Sequence, residues 1–356
     1  MSSPYMNIDL FKIEENARVI VELCNKNNIK VHGVTKVMSG HPDIAISMLR
    51  GGVYGLADSR LDNFDRIYNA GIDAHRLLLR LPHMSEAERI VNTVDMSLNS
   101  DIEVIEELAF FADEKRKEHD IILMIDLGDL REGVWADELI PMVTEIRKMR
   151  GVNIAGIGTN LTCYGGVIPT EQNLQQLVDY AKEIESKFNF KLRYISGGNS
   201  SSLPLLASGK MPKEINHLRI GEAIVLGRET VNRTAWPDTY QDAITLKAEV
   251  IECREKPSVP IGEIGQDAFG NKPVFEEKGK MIRAICNIGR QDTNISNITP
   301  LDSAISILGG SSDHLLLDVT NADPKIKVGE MINFDVDYGS LLGAMTSPYI
   351  EKRFID

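Results

Sequence analysis

Through the first two-thirds of the chain, short apolar or β-branched runs alternate with longer stretches whose apolar residues return every three or four positions. The runs cover residues 31–37, 53–57, 76–80, 94–98, 121–126, 154–159, 192–197 and 217–221. Runs of this length suit strands buried on both faces, while stretches such as 101–118 and 170–188 carry the helical period. The alternation predicts parallel strands joined by crossover helices. Eight repeats ending near Arg228 predict a closed TIM-type (β/α)8 barrel.

After Trp236-Pro237-Asp238 the pattern changes to strands without intervening helices, expected at 243–251, 281–288, 304–308, 314–319 and 331–336, between turns rich in Gly, Pro and Asp. The fold class is therefore read as α/β, a (β/α)8 barrel over 8–235 followed by a C-terminal all-β domain over 236–356. Residues 1–7 are expected to pack with the latter.

Composition narrows the function classes. The 356 residues carry 39 Lys and Arg against 52 Asp and Glu, a formal charge of −13, which disfavours a phosphate backbone as partner. The four cysteines, Cys24, Cys163, Cys253 and Cys286, form no CxxC pair and have no histidine at ligand spacing, so neither a disulfide framework nor a metal site is expected. The N-terminus lacks the apolar core of a signal peptide, and no apolar run approaches the ~20 residues of a membrane span. The expectation is a cytoplasmic enzyme acting on a small molecule.

Barrel enzymes place their chemistry at the carboxyl ends of the strands, and the unusual residues of this chain collect there. The first run carries Lys36, the fifth leads into Asp126, Asp129 and Arg131, the sixth ends in GIGTN, the seventh in ISGGNSSS and the eighth in LRIGE. A lysine within Gly33-Val34-Thr35-Lys36-Val37 is costly to desolvate, and burial lowers its pKa until the amine can attack an aldehyde. On periodicity alone the plainer reading is a lysine whose stem lies on apolar surface with its ammonium in water. The run from Ser196 to Ser202 offers unobstructed N–H groups and hydroxyls suited to a phosphate, although Gly, Asn and Ser also serve ordinary capped turns. Arg219 and Gly221 follow on the last strand; a salt bridge from Arg219 to Glu222 or Glu214 is the structural alternative.

Lys36 together with DLGDLREG, GIGTNLTCYGG, SGGNSSS, LRIGEA and SSDHLLLDVT resembles the alanine racemase superfamily, and within it the ornithine racemase branch. The resemblance runs essentially end to end. It implies a barrel with a C-terminal β domain, pyridoxal 5'-phosphate as cofactor, a homodimer, and interconversion of L- and D-ornithine. By position it implies that Lys36 is the Schiff-base lysine, that Arg131 bonds the cofactor's phenolic oxygen and that Arg219 faces its pyridine nitrogen. Asn199, Ser200, Gly221, Glu222 and Tyr349 match phosphate contacts, and Asn160 stands where alanine racemases carry a histidine near the ring.

The chain also departs from that pattern. A catalytic tyrosine in an IGYADGY motif has no counterpart in Asn287-Ile288-Gly289-Arg290-Gln291-Asp292, Met124 replaces a lysine that relatives carbamylate, and Ser39 or Gly40 replaces a cofactor-contacting tyrosine. Racemisation needs a proton carrier on each face of the α-carbon. Lys36 serves one face, and the second is open among Cys286, Ser311, Ser312, Asp313 and His314, with Arg290 a poorer base. Cys286 reads equally as a buried small hydrophobe and Asp313 as a turn residue; Asp313 is also a candidate acceptor for the ornithine side-chain ammonium. A broad-range or alanine racemase, a decarboxylase or aldolase on the same scaffold, and a pyridoxal-phosphate carrier without turnover are the alternatives.

Overall fold

The computed structural model describes residues 4–356, and the chain folds as two units. Leu10–Gln241 forms one; Asp242–Asp356 with the N-terminal stretch up to Asp9 forms the other. The strands, in chain order, begin with β1 (Tyr5–Asp9), followed by β2 (Lys30–Val34), β3 (Gly55–Asp58), β4 (His75–Leu78), β5 (Met96–Asn99), β6 (His119–Met124), β7 (Val152–Gly158), β8 (Tyr194–Ser196) and β9 (His217–Ile220). Strands β2 to β9 close into a parallel barrel, with β9 pairing back onto β2. Each overlaps one of the eight expected runs.

The crossover helices form for local reasons. Thr170 caps the helix Glu171–Phe188 and exchanges bonds with Asn173, Leu174, Leu177, Val178, Ala181 and Ile184 line its buried side, and Asn189 ends it in the left-handed region. Asp101 likewise caps Ile102–Glu114, whose Ile105, Leu108, Ala109 and Ala112 are buried.

Inside the barrel, Val34, Ala57, Leu77, Met96, Leu98, Ile122, Met124, Ala155 and Tyr194 form one apolar cluster drawn from seven strands. Side chains alternate along a strand. His32 therefore shares the inward face with Val34, His75 with Leu77, and Ser196 with Tyr194. At Gly156, β7 has no room for a side chain against β8, since a Cβ there would sit 2.2 Å from the Tyr194 carbonyl oxygen.

The second unit is an eight-stranded, mostly antiparallel sheet. It contains β10 (Ile244–Pro257), β11 (Lys280–Cys286), β12 (Ile298–Pro300), β13 (Ser306–Gly310), β14 (Leu315–Asp318), β15 (Met331–Val336) and β16 (Glu351–Ile355). Their order is β12-β15-β10-β11-β14-β13, with β1 antiparallel to β10 and parallel to β16. Three strands escaped the sequence reading: β1, β12 and β16 are short or charged, and nonlocal pairing holds them. The unit also contains a helix, Tyr338–Thr346, where only strands were expected. Asp337 starts it by accepting from Ser340 N, a capping signal present in Asp337-Tyr338-Gly339-Ser340. Among the described residues no helix is long and apolar enough to cross a membrane.

Candidate active site

Lys36 follows the end of β2 and opens a short 3-10 turn, Lys36–Met38. Its neighbour Thr35 is anchored twice, through Thr35 N to the Ala57 carbonyl (2.9 Å) and through Oγ1 to Asp58 (2.7 Å). Asp58 is buried and also accepts from Asn63 Nδ2, Ser59 N and Arg60 N. Burial outweighs these bonds and leaves the Asp58 carboxyl above its usual value. Lys36 is exposed at the barrel mouth, with nearby protein desolvating its amine in part. Burial foremost, and Arg131 in addition, lowers its amine pKa against the opposing pull of Cys163, Asp58 and Glu132.

Arg131 is presented by the loop after β6. Asp126 ties that loop by accepting from Gly128 N (2.8 Å) and Leu130 N (3.2 Å). Asp129 accepts from Tyr164 N (2.8 Å) and Val167 N (3.0 Å), fastening the loop to the segment after β7. The two aspartates read as reactive candidates in the sequence are thus loop organisers. Arg131 donates to Glu132 and to Cys163 Sγ. Burial works against its charge, but Glu132 prevails and holds the guanidinium above its ordinary value.

Asn160 links Arg131 to the next strand end. Its amide faces the Arg131 guanidinium on one side and lies 2.9 Å from Asn199 Nδ2 on the other. Asn199 Nδ2 also donates to the Leu161 carbonyl (2.9 Å), and its oxygen accepts from Ser201 N (2.8 Å). Ser200 Oγ accepts from Ala223 N at 3.3 Å, joining the turn after β8 to the turn after β9, where Gly221 packs against Val34. Arg219 is buried and donates to the Thr159 carbonyl (2.7 Å) and to Ser196 Oγ. The salt bridge considered for it is absent: Glu222 pairs with Arg233, and Glu214 with Lys182. Burial pushes the Arg219 pKa down to about 10, so it remains charged at neutral pH.

One mouth of the barrel therefore brings together an amine with lowered pKa, two guanidinium groups and a hydroxyl-rich turn. The buried Thr159 Oγ1 and Ser201 Oγ have no hydrogen-bond partner among the described residues. Such orphaned hydroxyls beside cations are the donor set for an anionic, oxygen-rich ligand. The amine suits an aldehyde on the same molecule. Pyridoxal phosphate fits these residues. Among the described residues no group of three or more His, Cys, Asp or Glu could hold a metal ion.

The remaining sequence candidates lie in the other unit. Cys286 is fully buried in β11, and burial pushes its thiol up to about 12, so it stays protonated at neutral pH. That is the small-hydrophobe reading rather than a base. Asp313 is exposed and accepts from Gln291 Nε2 and from Ser312 Oγ (2.9 Å). Ser311 Oγ accepts from His314 N (3.2 Å) in the same turn, and Arg290 stacks 4.5 Å from the Phe269 ring centroid. Tyr349 is 66% exposed. This unit holds a cavity of about 620 Å3 lined by Arg290, Asp292, Thr293 and Thr346 among others.

Sequence reasoning missed Asp58, Glu132 and Cys163, and took Ser196 as part of a phosphate-binding run, whereas its hydroxyl meets Arg219 and His217. The signal for Asp58 was its place at a strand's carboxyl end; Glu132 and Cys163 gain their importance from loop packing, which sets them against Arg131 and near the Lys36 amine.

Comparison with known proteins bears on the same residues. Residues 8–229 match the alanine racemase N-terminal domain. The ornithine racemase of Acetoanaerobium sticklandii is 44% identical over 353 residues, 99% of both chains. The lysine racemase of Thermotoga maritima is 44% identical over 354 residues, again 99% of both. Among solved structures, an alanine racemase of Clostridium difficile 630 superposes with a TM-score of 0.72 at 17% identity, covering 99% of this chain and 95% of that one. At this identity the likeness speaks for the shared fold of barrel and β domain.

Proposed function

The chain belongs to the alanine racemase N-terminal domain family and is an amino-acid racemase, an isomerase, and from that premise we propose that it uses pyridoxal phosphate to interconvert L- and D-ornithine. The observation that carries the cofactor reading is the Lys36 amine, lowered in pKa at the barrel mouth beside Arg131. When bound, the cofactor supplies an aldehyde for that amine and an electron sink for the α-carbon.

The chain's own residues then have distinct tasks. Lys36 would hold the cofactor covalently and, once freed by the incoming substrate amine, would move the α-proton on one face, its lowered pKa keeping a usable fraction of neutral amine. Arg131 and Asn160 orient the ligand from one side. Arg219, still protonated, would donate to the cofactor's ring nitrogen, as the resemblance implies, without surrendering its proton. Asn199, Ser200, Gly221 and Glu222, with Tyr349 as the resemblance implies, make up the phosphate set; Ser201 Oγ joins them as a buried hydroxyl in want of a partner.

For the second face we retain Asp313. It is an exposed carboxylate held by Gln291 and Ser312, whereas the Cys286 thiol is enclosed and protonated. Asp313 is equally suited to accept a side-chain ammonium, and Asp313→Asn separates the two roles. Lysine as preferred substrate is the second reading, favoured by the equal 44% identity to the lysine racemase. A cytoplasmic homodimer is the setting this proposal carries.

The test is incubation with a panel of L-amino acids in D2O, reading deuterium entry at Cα and inversion of chirality. Ornithine is expected to exchange fastest. Exchange with no amino acid would favour a cofactor carrier, and release of CO2 or aldehyde in place of inversion would favour a decarboxylase or aldolase.

A further inference from the structure

Barrel interiors are filled mainly by branched apolar side chains. Beside its apolar cluster this one carries a line of polar groups leading away from Arg219. Arg219 donates to Ser196 Oγ; Ser196 Oγ lies 2.7 Å from His217 Nδ1, His217 Nε2 lies 2.7 Å from His32 Nδ1, and His32 Nε2 lies 3.0 Å from His75 Nδ1. Ser196, His217 and His32 are buried, and His75 is half-buried. Register brings them together, with Ser196 opposite His217 and His32 opposite Arg219.

The bonding has one direction. A guanidinium only donates, so Ser196 Oγ accepts from Arg219, and its hydroxyl hydrogen goes to His217 Nδ1. His217 then carries its hydrogen on Nε2 and donates to His32, which does the same toward His75. The opposite direction would make Ser196 accept from both Arg219 and His217. Its own hydrogen would then lack an acceptor, because among the described residues Ser196 Oγ has no third partner.

We propose that Ser196, His217, His32 and His75 form a directional hydrogen-bond relay through the barrel that positions Arg219 in the racemase site, with Ser196 and His217 as positioning residues. This rests on the reading of Arg219 given above. Burying the His32 and His217 imidazoles is costly unless each nitrogen is bonded, and an apolar core would avoid that cost. The relay turns a Ser196 lone pair toward the guanidinium and holds it there. It also stays uncharged: burial lowers His32 to about 3 and His217 well below its usual value, so neither adds positive charge beside Arg219. Around His75, burial together with Arg193 and Lys30 prevails over Asp95 and Asp120 and keeps its pKa low.

Two measurements test this. Two-bond 1H–15N spectra of the full chain as purified, labelled at histidine, read each tautomer without turnover. His217, His32 and His75 are each expected as the neutral Nε2–H form at pH 7; an Nδ1–H form or an imidazolium at any of them overturns the relay. In the deuterium-exchange assay, Ser196→Ala and His217→Phe are each expected to lower kcat by about tenfold to a hundredfold with KM less affected. Ser196→Thr should retain most activity, and the double variant should be no worse than the poorer single one. Unchanged kcat in both single variants, or losses that multiply, would overturn the positioning role. A wild-type protein that exchanges no amino acid would instead sink the racemase reading, with the tautomers still deciding the direction of the relay.

Discussion

At the scale of the residue, the site turns on how protein surroundings change familiar groups. Lys36 is an ordinary lysine whose amine burial has made easier to deprotonate. Lys36→Ala is expected to reduce α-deuterium exchange with ornithine by at least the ~10²–10⁴-fold that a positioned acid–base group contributes. Exchange within tenfold of wild type would remove Lys36 from the chemistry. Asp313 poses a question of role. As the acceptor of a side-chain ammonium, Asp313→Asn should weaken ornithine by about tenfold or more relative to alanine, since an unpaired ammonium loses a charge-assisted bond of roughly 1.5–3 kcal/mol. As a base it should slow both amino acids alike. Comparing kcat/KM for the two substrates tells these apart, and no change in either would exclude Asp313 from both roles.

At the scale of the element, strand ends and loops aim the side chains. Asp58 clamps the end of β3 to Thr35, next to Lys36, and Asp129 ties the Arg131 loop to the segment after β7. Barrel closure depends on small residues at close approaches. Gly156→Ala would thrust a Cβ against the Tyr194 carbonyl, a backbone atom that cannot swing aside. We expect it to destabilise the barrel by about 1–3 kcal/mol, the range of core overpacking, read by urea unfolding. Gly265→Ala, where a Cβ meets open space, is the control. Equal midpoints for the two variants would show that β7 and β8 can separate at little cost.

At the scale of the whole molecule, buried histidines tie stability to pH. Burial lowers His32 to about 3 and His119, bonded to Ser97 Oγ at 2.8 Å, to about 4. In the unfolded chain both titrate near 6.5. Between about pH 4 and 6.5 the unfolded state therefore binds more protons than the folded one. Stability is fully present above 6.5 and falls as pH drops through that window, by up to about 1.4 kcal/mol per pH unit for each histidine. Urea midpoints at pH 7 and pH 5 should show the loss, and His119→Gln should reduce it. A midpoint independent of pH would mean that these imidazoles titrate as freely in the fold as outside it.

Alternation of apolar and polar positions is a local property, and it determined the eight barrel strands, the long capped helices and the change to β structure after Trp236. Strand ends followed from the same pattern and drew attention to Lys36, Arg131, Arg219 and the run from Ser196 to Ser202, while the roles of these residues and of Asn160 came from the family resemblance. Only the tertiary structure decided what those residues touch. Closure of the barrel sets Ser196, His217, His32 and His75 in line although they come from four strands, and loop packing gives Arg131 its partners Glu132 and Cys163. Pairing also buried Cys286 and made strands of β1 and β16, which their polar sequences do not announce, although the N-terminus was expected to join that domain. The physical reason is that period records which face of an element leaves water, whereas register and closure, summed over contacts far apart in the chain, choose its neighbours.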